Sequence, residues 1–139
     1  MTGNLPTAVL VVDDDPDHAQ IAALVLHALA PGLEVRLCRD AAGAVLALDD
    51  EPRGALVLID RMLAGVESFD TVVRMHALRP DVTIVMLSAA LSSIDRAYAL
   101  ACGARDALEK PAGLAAWRDA FSVLLGLTEA PERHAPRAA

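Results

Sequence analysis

The sequence predicts an α/β fold: a flavodoxin-like, doubly wound, five-stranded parallel sheet in the order 2-1-3-4-5, with helices on both faces. Two observations lead to this fold class. Short runs of Val, Leu and Ile alternate five times with segments whose apolar residues recur at helical spacing. Most of these runs are apolar at consecutive positions, which is typical of strands covered on both faces. Parallel pairing then requires each helix to return the chain to the starting edge of the sheet.

Five apolar segments are predicted as strands, and an amphipathic segment follows each of them. The strand segments are rich in β-branched residues and Leu, and the helical segments carry apolar residues three and four positions apart. The predicted strands cover residues 7–12, 33–38, 55–59, 82–87 and 106–109. The second and third helices are predicted over residues 41–48 and 68–78.

Capping residues indicate where several helices begin and end. Pro16 suits the first turn of the first helix, where a backbone N–H has no helical partner. Asp40 is the predicted N-cap of the second helix, and Ser92 or Ser93 is that of the fourth. Gly103 is predicted to end the fourth helix. Strands and capped helices therefore alternate over most of the chain.

Length and cysteine content indicate one domain without covalent or metal crosslinks. The chain has 139 residues, a size that buries an adequate core unaided. We expect residues 1–126 to form the domain and the largely polar residues 127–139 to form a mobile tail. Cys38 and Cys102 are the two cysteines, and they support neither a disulfide framework nor a zinc site.

Charge and hydropathy argue against several function classes. The formal net charge is -7 and the isoelectric point is about 4.9, so the protein repels nucleic-acid phosphates and anionic membrane surfaces. No apolar segment reaches the length of a transmembrane helix, and the N-terminus lacks the regions of a signal peptide. The prediction is a cytoplasmic protein that binds neither nucleic acid nor membrane directly.

Acidic residues follow the first and third predicted strands. Asp13 and Asp14 follow the first strand, and Asp60 follows the third. These strands are neighbours in the predicted order, so their carboxyl ends bring the three carboxylates within reach of one another. Two carboxylates about 5 Å apart repel by roughly 3 kcal/mol at an effective dielectric of about 20. A hard divalent cation, Mg²⁺ or Mn²⁺, is the counter-ion that such oxygen ligands favour.

Two further polar residues end strands at the same edge of the predicted sheet. Lys110 follows the fifth strand and is the only lysine among the twelve Lys and Arg residues. Its compact ammonium suits a point contact with a carboxylate or phosphoryl oxygen. Ser88 follows the fourth strand and supplies a hydroxyl group. We therefore expect both side chains to join the acidic cluster.

The strand ends resemble four motifs of the response regulator receiver domain of two-component signalling, and the resemblance runs from residue 8 to residue 125. VVDDDP at 11–16 resembles the acidic motif, and LIDRML at 58–63 resembles the phosphoacceptor motif. VMLSA at 85–89 resembles the hydroxyl motif, and Lys110-Pro111 resembles the lysine motif. Each motif is weak alone, but all four in this order form a specific pattern.

The resemblance implies a phosphorylatable switch. Asp60 would accept a phosphoryl group from a histidine kinase or a histidine phosphotransfer protein, and Lys110 and the Ser88 hydroxyl would contact that group. The chain would be a single-domain response regulator that catalyses only its own Mg²⁺-dependent phosphorylation and dephosphorylation. It would signal by binding a downstream protein, by forming a homodimer, or by passing the phosphoryl group on in a phosphorelay.

The resemblance also implies a set of metal ligands. Asp14 and Asp60 would bind Mg²⁺ together with the main-chain carbonyl of Met62, and Asp13 would hold a metal-bound water. Met62 and Ala90 flank the mouth of the expected site and offer no polar side chain that could position an attacking water. We therefore expect the phosphoaspartate to be long-lived.

Four positions depart from the family pattern. Ala64 and Ser68 stand where the family usually has Pro and Gly, so the loop after Asp60 is expected to adopt a different conformation. Ala107 replaces the aromatic residue that normally moves with the switch hydroxyl, and Ala112 replaces the common Phe after Lys-Pro. The chain therefore lacks the side chains of the usual aromatic readout.

Two other functions are compatible with parts of the sequence. A receiver-like docking module, whose partner binding is independent of phosphorylation, is favoured by Ala107 and Ala112 and opposed by the complete acidic and lysine set. A phosphohydrolase of the haloacid dehalogenase type shares the Asp13-x-Asp15 pattern after a first strand. That class requires an acidic pair beyond a late strand, and only isolated acidic residues follow Lys110.

The remaining histidines and aromatic residues are predicted to have structural positions. The histidines lack the pairing expected of metal ligands or nucleophiles, and we predict surface or boundary positions for His18, His27, His76 and His134. Three aromatic residues lie at helical spacing and are predicted to be core: Tyr98, Trp117 and Phe121. For Tyr98, a position on the partner-binding face is the alternative.

Overall fold

A five-stranded parallel sheet is the central element of the computed structural model, which describes residues 5–127. The sheet order is β2-β1-β3-β6-β7, and β4 pairs with β5 in a separate antiparallel hairpin. Counted among the sheet strands alone, this is the order 2-1-3-4-5, so the predicted fold class is confirmed. The strands are β1 (Ala8–Val12), β2 (Glu34–Cys38), β3 (Leu56–Asp60), β4 (Met62–Leu63), β5 (Val66–Glu67), β6 (Thr83–Ser88) and β7 (Asp106–Glu109).

Helices cover both faces of the sheet. Each sheet strand is followed by one helix, which is the alternation that the hydropathy pattern predicts. The helices are α1 (Pro16–Leu29), α2 (Ala41–Ala47), α3 (Phe69–Leu78), α4 (Ser93–Cys102) and α5 (Leu114–Leu124). Within residues 5–127, none of these helices is long and apolar enough to cross a membrane.

The predicted caps are found at three helices. Pro16 is the first residue of α1, and the carboxylate of Asp40 accepts a hydrogen bond from the backbone of α2. Ser92, and not Ser93, is the N-cap of α4, where it forms a reciprocal capping box with Asp95. Gly103 ends α4 in the left-handed conformation, with φ 116°. Local hydrogen bonding thus fixes where the strand-end loops join the helices.

Several element boundaries differ by one residue from the sequence-based ones: β1 begins at Ala8, β3 covers Leu56–Asp60 and β6 covers Thr83–Ser88. The sheet pairing of β2 begins at Glu34, and α2 ends at Ala47, after which a 3₁₀ turn continues through Asp50. The third helix begins at Phe69, one residue later than predicted. The predicted tail begins at Leu127, and its residues 128–139 lie outside the described part of the chain.

Two apolar layers, one on each face of the sheet, form the core. Alternate residues of β1 point to opposite layers, as the pleat of a strand requires. Helices α2, α3 and α4 cover one layer, whose largest members include Leu10, Val12, Leu48, Ile59, Met75, Ile84 and Met86. Helices α1 and α5 cover the other, whose largest members include Val9, Leu26, Leu58, Val85, Trp117, Phe121 and Leu125.

Two of the three aromatic assignments to the core are confirmed, and one is wrong. Trp117 and Phe121 are buried and pack edge to face, with ring centroids 5.1 Å apart. Tyr98 is 54% exposed and packs one side of its ring against Phe69 of α3. The spacing of Tyr98 matches the apolar face of α4, but the ring lies at the edge of that face.

The left-handed end of α4 has no room for a side chain at Gly103. A Cβ atom built there lies 2.6 Å from Cγ of His76 on α3. We predict that Gly103→Ala lowers the free energy of unfolding by about 2 kcal/mol, because strain at positive φ and this contact add. Urea denaturation measures the change. Gly32→Ala is the matched control, since a Cβ there has no neighbour within 4 Å, and a similar loss in both variants would contradict the argument.

Candidate functional site

Three carboxylates converge where β1 and β3 end. The two strands are parallel neighbours with Val12 opposite Ile59, so the residues that follow each strand emerge at the same edge. One carboxylate oxygen from each of Asp13, Asp14 and Asp60 lies within 4.8 Å of the other two. The structure thus brings together the acidic residues that the strand order predicts to be close.

The ammonium of Lys110 lies among these carboxylates and donates to three acceptors. Its Nζ atom is 2.9 Å from Oδ2 of Asp60, 3.3 Å from Oδ2 of Asp13 and 3.1 Å from Nδ1 of His18. Burial lowers the pKa of Lys110, but the contacts with Asp60 and Asp13 outweigh burial and leave the pKa raised. Lys110 is therefore a cation at neutral pH and offsets part of the acidic charge.

Asp13 is the most buried of the three acidic residues, with 7% of its surface exposed. Burial raises its pKa, and the negative charge of Asp60 raises it further. The backbone N–H of Asp15, 2.9 Å from Oδ1, and the ammonium of Lys110 act in the opposite direction and lower it. The net effect raises the pKa of Asp13, and a nearby cation favours the ionised form of this carboxylate.

The loop after Asp60 forms the β4–β5 hairpin, whose backbone donates hydrogen bonds to the acidic cluster. Its turn residues Ala64 and Gly65 both have positive φ, 52° and 78°. The N–H of Ala64 donates to Oδ2 of Asp14 at 3.0 Å, and the N–H of Met62 donates to Oδ1 of Asp60 at 3.3 Å. Proline, which the family usually has at position 64, fixes φ near -65° and has no N–H. It can therefore neither adopt this conformation nor donate to Asp14.

Ser68 fixes the main chain at the end of β3. Its hydroxyl donates to the carbonyl of Asp60 at 2.7 Å, and its N–H donates to the carbonyl of Arg61 at 2.7 Å. The Ser68 hydroxyl therefore bonds to the main chain of Asp60 and makes no capping hydrogen bond to α3. A glycine at this position has no hydroxyl and cannot form the first of these bonds.

Ser88 lies at the same edge, on the strand next to β3. It follows Leu87, which pairs with Asp60 across the two strands. Its buried hydroxyl donates to the carbonyl of Ala90 at 2.6 Å, within the loop that leads to α4. The carbonyl of Ser88 also accepts the N–H of Lys110 at 2.8 Å, which connects the two predicted site residues through the backbone.

Arg61 connects the acidic edge to the start of α4. One guanidinium nitrogen donates to Asp95, a member of the α4 capping box, at 2.9 Å. Another donates to Glu67 of the hairpin at 2.7 Å, and the guanidinium also lies 5.6 Å from the centre of the Phe69 ring. The residue after Asp60 thus contacts both the hairpin and the helix beyond the Ser88 loop.

Ala107 places a methyl group on β7 at the position where the family usually has an aromatic ring. It is 2% exposed and pairs with Met86 across β6 and β7. Its methyl group belongs to the core layer under α2, α3 and α4. The ring of Tyr98 on α4 packs against Phe69 of α3.

Comparison with known proteins identifies the family to which this geometry belongs. The family model described as the response regulator receiver domain matches residues 9–122, a range that includes all four strand-end motifs. The chain belongs to this family. The resemblance carried by the strand-end motifs is therefore confirmed, whereas the roles of individual residues remain predictions.

Curated relatives of this receiver domain are longer proteins. The DNA-binding response regulator MtrA of Mycolicibacterium smegmatis is 38% identical over 105 residues, which cover 74% of this chain and 43% of that protein. The sensory transduction protein RegX3 of Mycobacterium bovis is 34% identical over 105 residues, covering 76% of this chain and 44% of that protein. The chain thus spans less than half the length of these relatives.

Solved structures of receiver domains share the fold. A CheY-like receiver domain protein from Methanospirillum hungatei has a TM-score of 0.72 at 23% identity and covers 86% of this chain and 94% of its own. A response regulator from Burkholderia pseudomallei, crystallised with a phosphorylated aspartic acid, calcium ion and citrate, has a TM-score of 0.71 at 24% identity. It covers 88% of this chain and 67% of its own.

Sequence reasoning missed three residues that contact the site. His18 has the boundary position that the sequence predicts, but its contact with Lys110 was not predicted. Arg61 and Ser68 were not assigned contacts with the site, because their partners are distant in sequence or belong to the main chain. The position of His18 in the first turn of α1, directly after the acidic motif, is the signal that could have found it.

The charge of Lys110 is predicted to stabilise the fold while its carboxylate partners are ionised. We expect Lys110→Met to lower the free energy of unfolding by about 2 kcal/mol at pH 7, because a cation is removed from a largely buried ion pair. The loss shrinks towards pH 4 as Asp13, whose pKa is raised, takes up a proton. On the alkaline side, the raised pKa of Lys110 keeps its contribution intact up to its unfolded pKa of about 10.4, and the contribution is lost above its folded pKa.

Urea denaturation between pH 4 and pH 8 tests this pH dependence. Arg53→Met, which removes an exposed cation away from the cluster, is the control, and we expect it to change stability little at any pH. A loss for Lys110→Met that is constant across this range would contradict the role assigned to the ammonium.

Proposed function

We propose that Asp60 accepts a phosphoryl group from the phosphohistidine of a histidine kinase or a histidine phosphotransfer protein. The observation that carries the proposal is the 2.9 Å contact between Lys110 Nζ and Asp60 Oδ2 inside the acidic cluster. A carboxylate nucleophile, a cation beside it and room for a second cation are the groups that phosphoryl transfer requires. Membership of the receiver family supports this assignment.

The proposed step is an in-line displacement at phosphorus. A carboxylate oxygen of Asp60 forms the new P–O bond while the P–N bond to the donor imidazole breaks. The imidazole leaves with that electron pair and takes up a proton. Lys110, already at the carboxylate, donates to a phosphoryl oxygen, and Ser88 rotates away from Ala90 to donate to another.

A divalent cation, Mg²⁺ or Mn²⁺, fits the residues at this site. Asp14 and Asp60 would hold it together with the main-chain carbonyl of Met62, and Asp13 would hold a water bound to it. The bound ion would neutralise charge on the phosphoryl oxygens. The fit rests on an all-oxygen donor set within 4.8 Å and on the acidic charge that Lys110 alone leaves uncompensated. The response regulator from Burkholderia pseudomallei, which shares this fold, was crystallised with a calcium ion and a phosphorylated aspartic acid.

The output of the modified domain is proposed to be a contact with another protein, a homodimer or onward transfer in a phosphorelay. Rotation of Ser88 frees the carbonyl of Ala90, and Ser92, two residues further on, caps α4. The start of α4 can therefore respond without an aromatic switch residue. The net charge of -7 disfavours direct contact with nucleic acid, and the free thiols Cys38 and Cys102 suit the reducing cytoplasm.

Intact mass after incubation with acetyl phosphate tests the phosphoacceptor assignment. We expect a gain of about 80 Da, one phosphoryl group, with Mg²⁺ and none without it. The gain is absent from Asp60→Asn, because the amide is not a nucleophile for this reaction. Asp49→Asn, which replaces an aspartate remote from the strand ends, is the matched control and gains mass like the wild type.

A different outcome would favour the second candidate function. If the folded wild type gains no mass with Mg²⁺, the phosphoacceptor proposal is wrong. A docking module that binds its partner unmodified, which the buried Ala107 at the aromatic position favours, would then take its place.

The phosphoaspartate is predicted to be long-lived. Met62 and Ala90, which are both exposed beside the site, carry no polar side-chain atom that could align an attacking water. We expect the gain in mass to persist for minutes or longer after the donor is removed, and Met62→Asn to shorten it by supplying an amide. Mass spectrometry of timed samples measures the decay, and loss from the wild type within seconds would reject the prediction.

A further inference from the structure

His18 lies where the ammonium of Lys110 needs a third acceptor. An ammonium carries three N–H donors, and Lys110 Nζ has three partners: Asp60 at 2.9 Å, Asp13 at 3.3 Å and His18 Nδ1 at 3.1 Å. Two of these partners are carboxylates of the acidic cluster. The third is a ring nitrogen from α1, a helix that supplies no other side-chain partner to Lys110 within residues 5–127.

The direction of the hydrogen bond fixes the state of the ring in this arrangement. An ammonium only donates, so Nδ1 of His18 must accept, and the ring proton is on Nε2. The other groups that face Nδ1 are carboxylates, Oδ2 of Asp15 at 3.5 Å and Oδ2 of Asp13 at 3.9 Å. These oxygens have no proton to donate to Nδ1 when ionised, so Lys110 is its hydrogen-bond donor.

We propose that His18 is a positioning residue that orients the Lys110 ammonium for phosphoryl transfer; this inference rests on the proposed function of Asp60. With Nδ1 and Asp13 each accepting one ammonium hydrogen, the third hydrogen is directed to Asp60 and, after transfer, to a phosphoryl oxygen. Without the Nδ1 acceptor, the flexible four-carbon stem of Lys110 has one contact fewer to hold it. His18 contacts neither the phosphoryl group nor the metal in this proposal.

The start of α1 fixes the backbone of His18. Asp15, the N-cap of α1, accepts the N–H of Asp17 at 2.9 Å and that of His18 at 3.5 Å. Pro16 at the first helical position fixes the backbone between the cap and the histidine. The helix therefore presents residue 18 to the carboxyl end of β7, where Lys110 begins the next loop.

Three variants separate positioning from simple packing. His18→Leu removes the acceptor, and His18→Asn keeps one, because its amide oxygen occupies nearly the place of Nδ1. His27→Leu, an exposed histidine in the last turn of the same helix, is the matched control. Each protein is tested for its rate of mass gain with acetyl phosphate and Mg²⁺. Its affinities for Mg²⁺ alone, and for beryllofluoride in the presence of Mg²⁺, are measured by calorimetry.

Loss of the acceptor is expected to affect the phosphoryl group and not the metal. For His18→Leu we expect about a fivefold lower rate of mass gain and about a fivefold weaker affinity for beryllofluoride, the effect of one hydrogen bond to a charged group. Its affinity for Mg²⁺ alone stays at the wild-type value. His18→Asn recovers the wild-type rate to within about twofold, and His27→Leu behaves as the wild type.

Several results would overturn the proposal. A wild-type rate of mass gain and a wild-type beryllofluoride affinity for His18→Leu would show that Lys110 is oriented without the ring. Equal impairment of the Leu and Asn variants would show that the acceptor is not what matters, and a parallel loss of Mg²⁺ affinity would show that His18 acts on the metal ligands.

A separate readout distinguishes failure of this inference from failure of the proposed function. If the wild type gains no mass, the phosphoacceptor proposal has failed, whatever His18 does. The contact itself is then tested by the ¹⁵N resonances of the ring, in which Nδ1 should be unprotonated and should shift in Lys110→Met. An Nδ1 signal that is protonated, or that ignores the loss of Lys110, would show that the contact does not form.

Discussion

The ammonium of Lys110 meets the carboxylates of Asp13 and Asp60 at the carboxyl edge of the sheet, and the rest of the site is arranged around this contact. Carboxylates at the ends of β1 and β3 repel one another, and burial of Asp13 adds to the cost of its charge. A single cation from the end of β7 reduces that cost but does not remove it. The site therefore keeps a negative charge that suits a second cation.

Strand order makes this meeting possible. The β1 and β3 strands are neighbours at the centre of the sheet, and β7 is at its edge, two strands away from β3. The long side chain of Lys110 spans the intervening end of β6, where Ser88 lies. Two apolar layers, one on each face, hold these strands in register. The chemistry thus depends on residues that are far apart in the sequence and are brought together by parallel pairing.

Much of the fold and the charged centre of the site could be predicted from the sequence. Fully apolar strands and capped helices have strong local signals, and parallel topology then places Asp13, Asp60 and Lys110 at one edge. The hydrogen bond of the Ser88 hydroxyl could not be predicted in this way, because its acceptor is the main-chain carbonyl of Ala90, whose position depends on the loop conformation. The contact of His18 with Lys110 likewise depends on the angle at which α1 leaves β1. Such angles are set by packing and not by local sequence.

The turn at Ala64 has a consequence for how this chain can be altered. Its backbone adopts φ 52° and gives its N–H to Asp14, one of the acidic cluster. Replacing unusual residues by the commonest residue of a family is a general route to greater stability. At this position the commonest residue is proline, which has neither that conformation nor that hydrogen atom. Family averages are therefore a poor guide to engineering this hairpin, because its alanine and its acidic partner have to be treated as one unit.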